Sequence, residues 1–106
     1  MIYPLTQRTS FVLRATITDG GDAVDIRDDT LTLLVKKSQF DSDENAVIEK
    51  VANVSVYGEN GIAYWILTTT DTDLIGDYFF AIKRVSGTYT YVPLDGKFRF
   101  KKNLFD

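Results

Sequence analysis

Asp41, Asp43 and Asn45 alternate along the chain as the first ligands of a calcium loop do. Such a loop needs glycine at its sixth position and a bidentate carboxylate at its twelfth, and this chain has Ala46 and Ala52 there. A metal site is therefore not expected. Asp71 with Asp73, and Asp25 with Asp28, are close pairs of carboxylates, the groups that glycoside hydrolysis needs on either side of a cleft. Each pair lies in a turn-prone stretch, where carboxylates face water or accept turn amides. The basic and aromatic alternation of residues 97–102 would grip a nucleic-acid strand only if rings and charges shared a face. In a strand they point to opposite faces. Asn53-Val54-Ser55 is a formal glycosylation sequon set among strand-forming residues, and we read it as a chance match.

What the chain lacks is as informative. It has no histidine, which removes the commonest general base, the usual catalytic triads and the commonest zinc ligand. It has no cysteine, so a disulfide, a thiolate metal site and a cysteine nucleophile are excluded together. The expectation is a protein that is not an enzyme and has no cofactor. The net charge of -3 gives no basic footprint for nucleic acid. The first residues lack the basic start and apolar run of a signal peptide, and no apolar run elsewhere is long enough to span a bilayer.

Aromatic residues are the one surplus, with seven phenylalanines, six tyrosines and one tryptophan. Tyr64 and Trp65 are adjacent, so they point to opposite faces of one strand, whereas Tyr89 and Tyr91 share a face. Leu104 and Phe105 add an apolar pair near the end of the chain. These six residues are the candidates for a partner interface. Core or rim packing is the competing account of the same rings.

The elements that must position them are strands. Period-two alternation dominates, and sustained helical spacing is absent. In residues 11–18, Phe11, Leu13, Ala15 and Ile17 form an apolar face opposite Arg14, Thr16 and Thr18. Gly20 and Gly21 then supply a tight reversal. Residues 31–37 place Leu31, Leu33 and Val35 on one side. Residues 47–51 and 54–57 read as two strands or one bent strand, and the sequence does not decide between them. Residues 62–67 are apolar on both faces, which suits a central strand or one that meets a partner. Residues 78–84 and 88–92 form a hairpin across Ser86-Gly87, Pro93 is expected to end that pairing, and residues 97–101 form the last strand. With 106 residues, one core and turns at short intervals, the prediction is a single domain over residues 1–106. Its class is all-β, an immunoglobulin-like antiparallel sandwich of about seven to nine strands. Tyr78, just after a glycine-containing bend, is placed as a corner tyrosine whose hydroxyl bonds nearby backbone.

The order of these pieces resembles a known family. The strand at residues 11–18, the Asp19-Gly20-Gly21 turn with Val24-Asp25-Ile26, and Leu33-Leu34-Val35-Lys36-Lys37 come first. Val47-Ile48-Glu49-Lys50, residues 61–68 running into residues 71–78, and Gly96-Lys97-Phe98-Arg99-Phe100 follow. Together they are similar to the N-terminal immunoglobulin-like domain of phage baseplate upper proteins. Members usually continue into further segments, and this sequence ends at Asp106. The resemblance lies in the scaffold and carries no functional residues over. It implies a virion protein of a phage or prophage tail, made in the bacterial cytoplasm, that contacts other tail or baseplate proteins and self-associates in the assembly. From charge and the lack of a spanning apolar run, no contact with nucleic acid or membrane is expected. A small carbohydrate- or protein-binding sandwich module is the alternative that the exposed aromatics would serve.

Overall fold

A computed structural model describes residues 2–105. It contains nine strands, β1 (Ile2–Thr6), β2 (Phe11–Thr16), β3 (Thr18–Asp19), β4 (Asp22–Ala23), β5 (Thr30–Lys36), β6 (Ile48–Val51), β7 (Ile62–Leu67), β8 (Gly76–Ser86) and β9 (Tyr89–Lys101). Single 3-10 turns at Asp43–Asn45 and Gly58–Asn60 are the only helical segments among the described residues. The fold is all-β.

Five strands form one sheet in the order β1-β9-β8-β5-β6, and β2 pairs with β7 in a second layer. The inward residues of both layers share one core: Leu13, Ala63, Trp65 and Leu67 from the β2–β7 pair meet Leu31, Leu33, Val35, Phe80, Ile82, Phe98 and Phe100 from the larger sheet. Phe80 stacks on Phe98 with centroids 4.4 Å apart, and Phe100 meets Phe98 edge-on at 6.0 Å. Offset and edge-on geometry of this kind is what ring quadrupoles favour. The β3–β4 hairpin turns through Gly20 and Gly21, both at positive φ, as a tight reversal with matching twist requires.

Several expectations need correcting. The larger sheet is mixed rather than purely antiparallel, because β1 runs parallel to β9, pairing Ile2 with Lys97 through Thr6 with Lys101. That strand was not expected at all. Residues 97–101, the last strand, consequently lie in the sheet interior between β8 and β1. Pro93 does not end the β8–β9 pairing. Ile82 pairs with Leu94 and Arg84 with Tyr91, so Lys83 alone faces both Val92 and Pro93 in a β-bulge, a position where the missing proline N–H is tolerated. Residues 54–57 are not a strand: the ladder stops at Val51 and the chain crosses to the second layer, where Asn53 makes a single bridge to Tyr64 before turning. Tyr78 is buried, with its ring edge-on to Phe100 at 5.7 Å and Lys37 4.9 Å from its centroid. Among the described residues its hydroxyl makes no hydrogen bond to backbone, so the corner bond expected of it is not formed.

Candidate partner-binding surfaces

The six candidate interface residues do not form one patch. Trp65 is only 1% exposed, and its indole N–H donates to the Lys50 carbonyl at 3.1 Å. Its ring faces the core and is not available to a partner, which corrects the expectation for that residue. Tyr64, on the opposite face of β7, is half-buried and packs against Tyr57 with centroids 6.4 Å apart. Tyr89 and Tyr91 are exposed and stacked at 6.4 Å, with the Arg84 guanidinium 5.4 Å from the Tyr91 centroid. Arg84 is itself fixed by Asp29, whose carboxylate accepts its Nε at 2.8 Å.

Leu104 and Phe105 are 92% and 82% exposed, yet the backbone beneath them is held. Arg8 Nη2 donates to the Phe105 carbonyl at 2.9 Å, and the Phe105 N–H donates to Asn103 Oδ1 at 2.9 Å. Asn103 Nδ2 in turn donates to the Gln7 carbonyl at 3.0 Å. Two large apolar side chains are thus presented on an anchored loop. β9 separates them from the tyrosine pair by about 40 Å at strand spacing, nearly the 42 Å length of the molecule. The two groups lie at opposite ends.

A third surface was not anticipated. On the outer face of the five-stranded sheet, Leu34 pairs with Ala81 and Phe79 sits between Lys36 and Lys97, which in turn pairs with Ile2. These side chains floor a cleft of about 710 Å³. Lys97 Nζ lies 5.0 Å from the Phe79 centroid, within reach of the ring face. The signal was present in the sequence: Leu33-Leu34 and Phe79-Phe80 each put an apolar residue on both faces. The rim carries both signs of charge, from Lys83 and Asp95 as well as Lys36 and Asp43.

Of the acidic groups considered for chemistry, Asp25, Asp41, Asp43, Asp71 and Asp73 are engaged by neighbours. Lys36 Nζ donates to Asp43 at 2.6 Å and to the Asp41 carbonyl at 3.0 Å, and the lysine hydrogen bond holds the Asp43 carboxyl below its ordinary range. Asp25 is lowered chiefly by its hydrogen bond from Arg27, and Asp77 by that from Arg99. Burial pushes Asp71 upward, but hydrogen bonds from Lys50 and from the Thr68 amide and hydroxyl outweigh it, so its pKa is lowered. Asp73 accepts from Gln7 Nε2 at 2.8 Å. These are acceptors in turns and ion pairs, and the shifts of Asp25, Asp43, Asp71 and Asp77 run away from the range of a general acid. Among the described residues no group of three or more acidic, histidine or cysteine side chains is placed to hold a metal, and no helix is long and apolar enough to cross a membrane.

No protein-family model matches the chain, and no curated protein matches it. Among solved structures it is similar to the N-terminal domain of phage TP901-1 ORF48, with a TM-score of 0.55 and 14% identity. The likeness covers 96% of this chain and 86% of that one. At this identity it is a likeness of fold.

Proposed function

We propose that the chain is a non-catalytic structural domain of a phage or prophage tail, in or near the baseplate, acting through protein-protein contacts. The observation that carries this reading is the fold shared over nearly the whole chain with a domain of a phage protein. The strand arrangement supports the finer, immunoglobulin-like reading: β2 and β7 take the places of strands B and E, and β5, β8 and β9 those of C, F and G. In this role the apolar cleft and the Leu104–Phe105 loop would bury against neighbouring tail proteins or further copies. Phage particles purified after prophage induction should contain the protein in fixed ratio to other tail proteins by mass spectrometry. Its absence from intact particles would sink the reading.

A second reading is favoured by one observation, the exposed and stacked Tyr89 and Tyr91 beside Arg84. Such a platform suits the apolar face of a sugar. If that reading holds, oligosaccharides should shift the NMR signals of the β8–β9 hairpin, and Tyr89→Ala with Tyr91→Ala should abolish the shifts.

A further inference from the structure

The sandwich is left open along one seam. The Ile17 N–H donates to the Gly61 carbonyl at 2.7 Å, which fixes the phase of the β2–β7 ladder. In an antiparallel pair the residues alternate between bonding inward and outward. Leu13 and Ala15 therefore bond to β7, and the N–H and C=O groups of Val12, Arg14 and Thr16 point to the other side. Among the described residues β2 pairs with no strand there. Across the gap, β1 covers β9 only from Lys97 to Lys101, so the edge of β9 beside Leu94 is uncovered too. The resulting cleft, about 350 Å³, runs along residues 14–18 and Pro93–Leu94. Ala15 and Leu94 are partly buried against the core and line it.

The other edges of the two layers are blunted, that of β7 by the Asn53–Tyr64 bridge, by the Ile62 N–H donating to the Tyr57 carbonyl and by the Lys50 ammonium donating to the Ile66 carbonyl. β1 carries Pro4, and β6 is four residues long with a charged pair, Glu49-Lys50. β2 has six residues and no proline or bulge. Arg14, exposed at its middle, has no acidic partner among the described residues. We propose that this edge is a docking site for an extended segment of a partner protein that adds as a strand beside β2. Unpaired edge amides and carbonyls recognise extended backbone. The Ala15–Leu94 trough selects an apolar side chain on the segment's inner face, and Arg14 selects an acid on its outer face. A second copy pairing symmetrically about Arg14 would oppose two arginines, which disfavours that occupant.

The test uses the folded chain and two short synthetic peptides of alternating valine and threonine, one with a central glutamate and the other with lysine there. With the glutamate peptide, amide exchange at Val12, Arg14 and Thr16 should slow by at least about tenfold, as formation of one or two net hydrogen bonds implies. Exchange at Leu13 and Ala15 should stay as it was. Arg14→Glu should transfer the preference to the lysine peptide. Thr16→Pro should leave the β7 ladder intact, because that amide faces away from it, and abolish the protection. Absence of protection by either peptide at millimolar concentration overturns the proposal. So does a dimer of the wild-type chain in sedimentation that Thr16→Pro dissociates, since the edge would then belong to a second copy.

Discussion

Trp65 fills the core from a strand that is apolar on both faces, and its N–H satisfies the Lys50 carbonyl across the gap between the layers. Trp65→Ala should lose about 3–5 kcal/mol of stability, as large-to-small core changes do. Trp65→Phe should lose less, about 1–2 kcal/mol, because it keeps most of the packing and gives up one hydrogen bond to a carbonyl that the β5–β6 ladder also engages. Urea unfolding followed by circular dichroism measures both. The two glycines flanking β7 and opening β8 make a sharper contrast. Gly61 has φ +76°, and a Cβ there would lie 2.5 Å from the Ile17 carbonyl oxygen and 3.0 Å from that of Val24. Gly76 has φ +99°, with nothing within 4 Å of a Cβ. Gly76→Ala should cost about 1–2 kcal/mol of backbone strain. Gly61→Ala should cost clearly more, since two backbone oxygens must move, and equal unfolding midpoints for the two variants would refute this account.

Between elements, one ion pair fixes how the β8–β9 hairpin meets the start of β5. Arg84 lies near the end of β8, and Asp29 precedes β5 with only 8% of its side chain exposed. Arg84→Ala leaves that carboxylate buried without its partner, and about 3–5 kcal/mol should be lost. Because the two side chains act as a unit, the Asp29→Ala, Arg84→Ala double variant should cost less than the sum of the singles. Additive costs would show that the pair is not coupled. The elements legible in the sequence were those whose alternation is driven by one buried face, as in Leu31, Leu33 and Val35 or Phe98 and Phe100. β1 was not legible, because a short segment with Pro4 becomes a strand only through a partner more than ninety residues away. Residues 54–57 carry the alternation of a strand, but the chain must leave the first sheet to reach the second layer, and tertiary geometry overrides local pattern there. For the candidate surfaces, residue type flagged Tyr89, Tyr91, Leu104 and Phe105, whose exposure the fold then set. It misplaced Trp65, since a strand apolar on both faces does not say which ring turns inward. The Leu33-Leu34 and Phe79-Phe80 pairs signal apolar residues on the outer face, but that Leu34 and Phe79 share one floor depends on cross-strand register, which no single segment encodes.

At the scale of the molecule, the two layers are joined at one side by a clasp around Lys50. Its carbonyl accepts the Trp65 N–H, its ammonium donates to the Ile66 carbonyl at 3.0 Å, and it pairs with Asp71 in the loop that leaves β7. That pairing and the Thr68 bonds are what lower the Asp71 pKa against the opposing effect of burial. A carboxylate whose folded pKa lies below its unfolded value binds protons more tightly in the unfolded chain. Its contribution to stability is complete above the unfolded pKa, about 4, and disappears as pH falls through the folded value. Asp25, Asp43 and Asp77 are lowered in the same direction by Arg27, Lys36 and Arg99. Being exposed pairs, they should respond to salt more than Asp71 does. The urea midpoint should therefore hold level through the neutral range, where the chain has no histidine to titrate, and fall as the pH drops below about 4. Asp71→Asn should lower the neutral plateau and shrink the acid-induced fall. If the variant keeps the full fall, the acid sensitivity arises in the exposed pairs, and raising the salt concentration should then flatten the profile of the wild-type chain instead.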